Sequence, residues 1–267
     1  MAIRIALAGN PNSGKTTLFN TLTGSNQFVG NWPGVTVERK IGKIRGTDSE
    51  LVDLPGIYSL SPYSPEEIVS RDYIVNDNPD GIINIVDATN LERNLFLTLQ
   101  LIDMGKPLVV ALNMMDEVEK QGDKIHVEKL AERLGVPVVP ISAKEKENIA
   151  DLVSAITEAA EKKAEPKFVK YNDSIETAID AAEKALEGKI PGSSRFYAFK
   201  LVEGDEAVMK AIPGARESIS EAISNLEKEF DDTADSVIAD SRYETITDFV
   251  SSSYERAPRD ERGTLSD

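Results

Sequence analysis

Over residues 1–165 short apolar runs alternate with stretches whose apolar residues recur three and four positions apart, and after Pro166 only the second pattern continues. The runs predict strands at 3–9, 37–45, 49–54, 81–87, 107–113 and 136–141. The spaced positions predict helices at 15–24, 66–76, 91–104, 126–134 and 148–163. Alternation of this kind implies an α/β fold around a mostly parallel sheet. Only Gly46-Thr47-Asp48 separates the second strand from the third, too little for a crossover helix, so these two form an antiparallel hairpin in a six-stranded sheet with one antiparallel strand. Residues 25–36, containing glycine, asparagine and proline, read as a mobile loop. Beyond Pro166, Ile175, Ala178, Ile179, Ala182 and Leu186 mark a helix stopped by Gly188 and Pro191. Further helices at 194–201, 206–212, 215–230 and 233–251 complete a small all-α domain, and the charged stretch 254–267 reads as linker.

The first strand runs into Gly9-Asn10-Pro11-Asn12-Ser13-Gly14-Lys15-Thr16, followed by Thr17 at the start of a helix. This fits G-x-x-x-x-G-K-[ST] in the strand-loop-helix setting the pattern needs. Main-chain N–H groups of the loop and the helix N-terminus form a cavity for anionic oxygens. Lys15 reaches the β- and γ-phosphates, and Thr16 offers its hydroxyl to magnesium. A plain glycine turn would not require the lysine and threonine in these places.

Composition narrows the setting. The 267 residues are 40% hydrophobic, enough for a sizeable core, and no apolar stretch approaches the ~18 residues of a membrane span. There is no basic leader and no cysteine, which together point to the cytoplasm. With 30 Lys+Arg against 46 Asp+Glu the net charge is −16, unfavourable for nucleic acid or an anionic membrane surface. Nor does the charge segregate between the two halves, so the boundary near 165 rests on the change of period.

The phosphate loop alone serves ATP or GTP. Asn113-Met114-Met115-Asp116 follows an apolar strand and fits N-x-x-D, placing the Asp116 carboxylate toward the N1–H and 2-amino donors of guanine, which adenine lacks. Ser142-Ala143-Lys144 closes the sixth strand, where the Ala143 N–H can donate to guanine O6. A site built around such bonds rejects an analogue without the matching groups, which selects GTP. Asp53-Leu54-Pro55-Gly56 ends the third strand and fits D-x-x-G: Asp53 holds magnesium through water, and the Gly56 N–H senses the γ-phosphate. Thr36 adds its hydroxyl to the same ion. Each of these short motifs is weak alone, and their order along the chain gives them force.

In that order GNPNSGKT, Thr36, DLPG, NMMD and SAK resemble a translation-factor-type, Ras-like P-loop GTPase. More narrowly, Gly30-Asn31-Trp32-Pro33-Gly34-Val35-Thr36-Val37-Glu38 and Asp53-Leu54-Pro55-Gly56-Ile57-Tyr58-Ser59-Leu60 are similar to the N-terminal cytoplasmic G domain of the ferrous iron transport protein B (FeoB) family. There a helical spacer and a polytopic membrane region follow. The resemblance spans essentially the whole chain and implies a G domain at 1–165, a helical spacer at 166–253 and a linker at 254–267 toward a membrane region. It further implies GTP binding and hydrolysis that regulate or drive Fe(II) uptake at the cytoplasmic face of the cell membrane, with self-association among the expected contacts.

Where many such GTPases carry a water-orienting glutamine this chain has Ile57, and no arginine lies in the phosphate loop or in 25–38, so turnover should be slow. The resemblance suggests a substitute: Asn12, with the carbonyls of Gly30 and Trp32, holding a potassium ion beside the phosphates and offsetting transition-state charge. The competing, less favoured reading of Asn12 is a residue that merely caps its own turn. The expected catalytic set is Asn12, Lys15, Thr36 and Gly56. His126, the only histidine, reads as a surface residue, Glu66 and Glu67 as first-turn helix carboxylates, and Trp32 as either packed or gating. Two other functions compete with transport-linked hydrolysis: a binding module switched by GTP occupancy with little turnover, and a free-standing ribosome-assembly GTPase, which the acidic balance and the lack of a basic RNA-binding domain disfavour.

Overall fold

The apolar runs of the first 165 residues lie side by side in one sheet. The computed structural model describes residues 3–24, 27–190 and 194–258. Its strands are β1 (Arg4–Gly9), β2 (Gln27–Asn31), β3 (Glu38–Lys43), β4 (Glu50–Asp53), β5 (Gly81–Asp87), β6 (Leu108–Asn113), β7 (Lys124–Ile125), β8 (Val138–Pro140) and β9 (Tyr254–Glu255). Seven of them order as β2-β3-β4-β1-β5-β6-β8, and β7 with β9 forms a separate pair. β3 is antiparallel to β2 and β4 while the remaining neighbours are parallel, so one strand runs against the other six, as the short 46–48 connection requires.

The expected six strands become seven because β2 forms inside the segment read as a mobile loop. It is an edge strand paired to β3 alone, and Phe28 and Val29 both stay exposed, at 66% and 53%. Main-chain pairing of this kind writes no apolar alternation into the sequence.

The helices are α1 (Lys15–Thr23), α2 (Pro65–Asp72), α3 (Leu91–Asp103), α4 (Met115–Lys120), α5 (Val127–Leu134), α6 (Ile149–Glu161), α7 (Asp173–Leu186), α8 (Ser194–Glu203), α9 (Glu206–Ala211), α10 (Ala215–Ser218), α11 (Ser220–Phe230) and α12 (Ala234–Ser253). Strand alternation sorts the core into two layers. Ile5, Leu7, Ile83, Ile85, Val109 and Ala111 face α1 and α6, while Ala6, Ala8, Ile82, Val86, Val110 and Leu112 face the side covered by α3 and α5. A third cluster fills the bundle of α7, α8, α9, α11 and α12.

α12 packs back on α3 and α5 and contributes Ile246 and Phe249 to the core beneath them. Its end runs into β9, which pairs with β7, so the stretch read as linker begins as a strand docked on the first unit. The helix expected over 215–230 is split at Ile219, whose φ of −112° and ψ of 13° leave the helical region.

The two units meet through buried charge. Asp103, at the end of α3, lies 3.1 Å from Arg242 Nη2 and 3.5 Å from Arg195 Nε. Arg242 Nη1 reaches Glu203 at 2.8 Å, and Lys200 Nζ reaches the same carboxylate at 2.7 Å. Burial pushes the Asp103 carboxyl up to about 6 against the pull of Arg242 and Arg195. For Glu203 burial works in the same sense, yet Lys200 and Arg242 hold it below the usual carboxylate range. The arginines beside Asp103, and Lys200 with Arg242 beside Glu203, favour the charged form of each carboxyl, and every ion in the cluster has an opposite within reach.

Candidate nucleotide site

Gly9 ends β1 beside β5, where a Cβ would sit 2.5 Å from Ile85 Cγ2. The chain then turns through Asn12, at φ 66°, and Gly14, at φ 90°, into α1. Gly14 serves twice: it takes a left-handed conformation, and its missing Cβ would lie 2.2 Å from Asn113 Nδ2. Asn12, Thr16 and Thr17 are exposed at the mouth of the loop, while Asn10 and Ser13 are buried. Asn10 Oδ1 and Ser13 Oγ have no hydrogen-bond partner among the described residues. Two orphaned oxygens in one loop fit a site that completes its bonding on a ligand.

Lys15 Nζ lies 2.5 Å from Asp53 Oδ1, at the end of β4, with both side chains about nine-tenths buried. Burial pushes the Asp53 carboxyl up, and the Lys15 ammonium pulls it back. Each group thus stands in for what the other would hold: the ammonium for a cation, the carboxylate for an anionic oxygen. Gly56 rests against Pro11, its Cβ direction meeting Pro11 Cα and N at 3.3 Å, and Ile57 N–H donates to Gly9 O at 3.2 Å. The D-x-x-G and phosphate loops therefore touch. Ile57 itself is buried in the core under α3.

Thr36 is exposed in the bend before β3. Gly30 pairs with Arg39 across the β2–β3 ladder, Trp32 N–H donates to Val37 O at 2.9 Å, and Trp32 O accepts from Val35 N–H at 3.3 Å. The two carbonyls expected to meet a potassium ion with Asn12 are thus part of a strand and its turn, not a free loop. The Trp32 ring packs inward, edge-on to Tyr73 at 5.3 Å and under the Arg39 guanidinium at 4.7 Å.

On the base side one side chain joins three segments. Asn113 Nδ2 donates to Ser13 O at 2.9 Å, and Asn113 Oδ1 accepts from Ala143 N–H at 2.9 Å. The Ala143 N–H expected to face guanine O6 is here bonded to Asn113, whose buried side-chain carbonyl needs a donor. Asp116 lies in the first turn of α4, a helix the sequence pattern does not show because it is only six residues long. Partial burial raises the Asp116 carboxyl, but bonds from the Ser142 hydroxyl and Lys120 outweigh it and hold the group below its ordinary range. Ser142 Oγ also accepts from Glu145 N–H at 3.2 Å, which closes the turn, and Lys144 is exposed beside it.

Several residues near the site carry no motif. Arg93, in the first turn of α3, accepts from Asn10 Nδ2 through its carbonyl at 3.2 Å and lays its guanidinium 4.4 Å over Tyr58, so it touches both phosphate-facing loops. Glu67 closes a capping box with Ser64 and accepts from Ser59 Oγ at 3.0 Å; the spacing Ser64-Pro65-Glu66-Glu67 is the signal that could have shown it. Gln100 Oε1 accepts from Leu60 N–H at 2.6 Å, Lys200 Nζ reaches Ser61 Oγ at 3.4 Å, and Arg71 Nη1 pairs with Asp205 Oδ2 at 2.6 Å. His126 lies against Glu255 with its ring Nε2 2.5 Å from Oε1. Among the described residues no group of three or more His, Cys, Asp or Glu could hold a metal by itself. The hydroxyls of Thr16 and Thr36 and the Asp53 carboxylate are hard oxygen donors that suit magnesium together with phosphate oxygens.

Comparison with known proteins agrees with this geometry. The family profile described as ferrous iron transport protein B matches residues 3–156, and that of the FeoB cytosolic helical domain matches 171–255. An Fe(2+) transport protein A/Fe(2+) transporter FeoB fusion protein of Porphyromonas gingivalis is 40% identical over 283 residues, covering 99% of this chain and 33% of the relative. The Fe(2+) transporter FeoB of Escherichia coli K12 is 43% identical over 251 residues, covering 91% and 32%. The chain thus spans about a third of the length of these relatives. A GDP-bound variant of the S. thermophilus FeoB G-domain superposes with a TM-score of 0.91 at 46% identity, over 96% of this chain and 100% of that one. NFeoB from S. thermophilus bound to GDP, AlF4- and K+ superposes with a TM-score of 0.85 at 47% identity, over 93% and 99%. With the first profile covering more than half of its length, the chain belongs to the ferrous iron transport protein B (FeoB) family.

Proposed function

We propose that this chain binds guanine nucleotides and hydrolyses GTP to GDP and phosphate, as the cytoplasmic G domain (1–165) and helical spacer (166–253) of a ferrous iron transporter. The observation that carries the reading is the bridge at Asn113, which locks the phosphate loop to the loop that would meet the base. Among the described residues no helix is long and apolar enough to cross a membrane. In this reading the path of the iron belongs to the further length of the relatives. The S. thermophilus relative bound to GDP, AlF4- and K+ supports both the nucleotide and the ion.

Hydrolysis breaks the bond between the γ-phosphorus and the bridging oxygen, forms one to a water oxygen, and leaves GDP, with charge spreading over the phosphoryl oxygens. Lys15 exchanges Asp53 for those oxygens, and the N-terminus of α1 adds its N–H groups. Asp53, Thr16 and Thr36 are then free for magnesium, which when bound neutralises phosphate charge. Lys15→Ala is expected to lose nucleotide affinity with or without magnesium, and Thr16→Ala only the magnesium-dependent part. Titrations with and without a chelator that gave equal losses for the two would contradict these roles.

Ile57 points into the core and cannot orient water, so turnover is slow and a cation supplies the missing charge. Potassium is the ion that Asn12 and the carbonyls of Gly30 and Trp32 suit, once the 30–36 segment gives up part of its pairing with β3. Steady-state hydrolysis is expected to run faster in potassium than in sodium chloride, and Asn12→Ala to abolish the difference while keeping GDP affinity. Equal rates for the unmodified protein in the two salts would sink the potassium role.

The occupancy-switch alternative draws on the contacts beyond D-x-x-G. Leu60, Ser61 and Arg71 are bonded in turn to Gln100, Lys200 and Asp205, and a cavity of about 660 Å³ separates this loop from the helical unit. A γ-phosphate that moved Gly56 would be felt there. The potassium experiment separates the two readings, since a switch with little turnover shows no ion-selective rate.

A further inference from the structure

α4 is a turn and a half long, is entered through Met114 at φ 67°, and has no side-chain cap. Val118 anchors its middle in the core, and its tilt about that anchor depends on what binds its two ends. At the first end stand Asn113 and its bridge. At the other the chain turns through Gly122, at φ 74°, and Asp123 N–H donates to Val118 O at 3.1 Å. The mostly buried Asp123 carboxylate then accepts from the Tyr254 hydroxyl at 2.6 Å and from Ala257 N–H at 2.8 Å. His126 N–H donates to Ser253 O at 2.8 Å, and β7 pairs with β9 alongside. Gly122 approaches so closely that its Cβ direction meets Ala257 Cβ at 3.2 Å. Within α4, Lys120 Nζ reaches back to Asp116 Oδ2 at 3.2 Å. A continuous set of bonds thus joins Asp116 to β9 and the two residues after it.

We infer that Asp123 and Tyr254 are positioning residues for guanine recognition: their clip sets the angle of α4 and hence of Asp116, and guanine occupancy in turn tightens the docking of residues 254–257. The inference rests on the guanine reading of Asp116. Binding linkage is reciprocal, so an effect of the clip on the base must have an equal effect of the base on the clip.

Inosine diphosphate tests this, because it lacks the 2-amino donor that Asp116 would bind and keeps the rest of GDP. The unmodified chain should prefer GDP to IDP by roughly ten- to hundredfold, the value of one hydrogen bond to a charged group. Asp123→Ala and Tyr254→Phe should narrow that ratio by about threefold or more, while the magnesium dependence of GDP binding stays unchanged. A general loss of stability would lower both affinities and leave the ratio intact. On the unmodified chain, GDP at saturation should slow hydrogen exchange at the Ala257 and His126 amides more than IDP does. Discrimination that survives in both variants, or exchange that is the same with the two nucleotides, would overturn the inference alone. An unmodified chain that bound GDP and ADP alike would overturn the guanine reading and the inference with it.

Discussion

Asp116→Asn inverts the nucleotide preference, with GTP weakened and xanthosine triphosphate strengthened. The carboxylate accepts from two adjacent donors of guanine, N1–H and the 2-amino group. An amide offers one acceptor and one donor, which matches N1–H beside the 2-oxo group of xanthine. The site is prepared for an ionised group, since the Ser142 hydroxyl and Lys120 outweigh partial burial and keep Asp116 charged. Mismatched polar groups at such a site discriminate by up to about 10⁴- to 10⁵-fold, so a change on the order of 10³ in the GTP to XTP affinity ratio is expected. Competition of both triphosphates against a fluorescent GDP analogue measures it. An unchanged ratio would remove Asp116 from the base site.

Arg242→Met costs about 3–5 kcal/mol of stability, the usual consequence of removing one partner from a buried ion cluster. Arg242 is 2% exposed and serves both Asp103 and Glu203. Arg195 and Lys200 still face those carboxylates, but Arg195 also serves Glu176 at 2.8 Å, so a set of three positive and three negative groups loses a positive member. Because the penalty is uncompensated negative charge, adding Glu203→Gln to Arg242→Met should recover part of the loss. Urea unfolding of the single and double variants tests both statements. Lys210→Ala, which breaks a fully solvated pair with Glu206, serves as the comparison and should be nearly silent. A cost below about 1 kcal/mol for Arg242→Met, or no recovery in the double variant, would show that the cluster is not what holds this seam.

The central sheet and the phosphate and base motifs are legible because burial on both faces writes apolar runs such as Gly81–Asp87, and because phosphate binding needs Gly14 and Lys15 in fixed places. What escapes is held by contacts without a period. β2 pairs through main chain at an edge, β7 and β9 are two residues each, and α4 is too short to show a stripe. The charged seam leaves a fainter trace. Arg242 stands four residues from Ile238 and from Ile246 on the buried stripe of α12, where an apolar side chain would be expected. A charge in that position asks for a partner, yet nothing local says that it is Asp103, 139 positions away. The Ala143 amide belongs with these: the sequence shows which groups can face a base, but not that Asn113 already bonds one of them.

The pairing of β7 with β9 also has a consequence for how the chain is made. His126 and Glu255, which meet across it, are separated by 129 positions. At typical rates of synthesis, roughly 5–20 residues per second, β7 leaves the ribosome about 6 to 26 s before its partner exists. Through that interval β1 can already pair with β4 and β5 and carry the phosphate loop, while the far end of α4 lacks its clip to residues 254–257. In the reading given above, a nascent chain halted before residue 254 would therefore hold phosphates while reading the base less selectively.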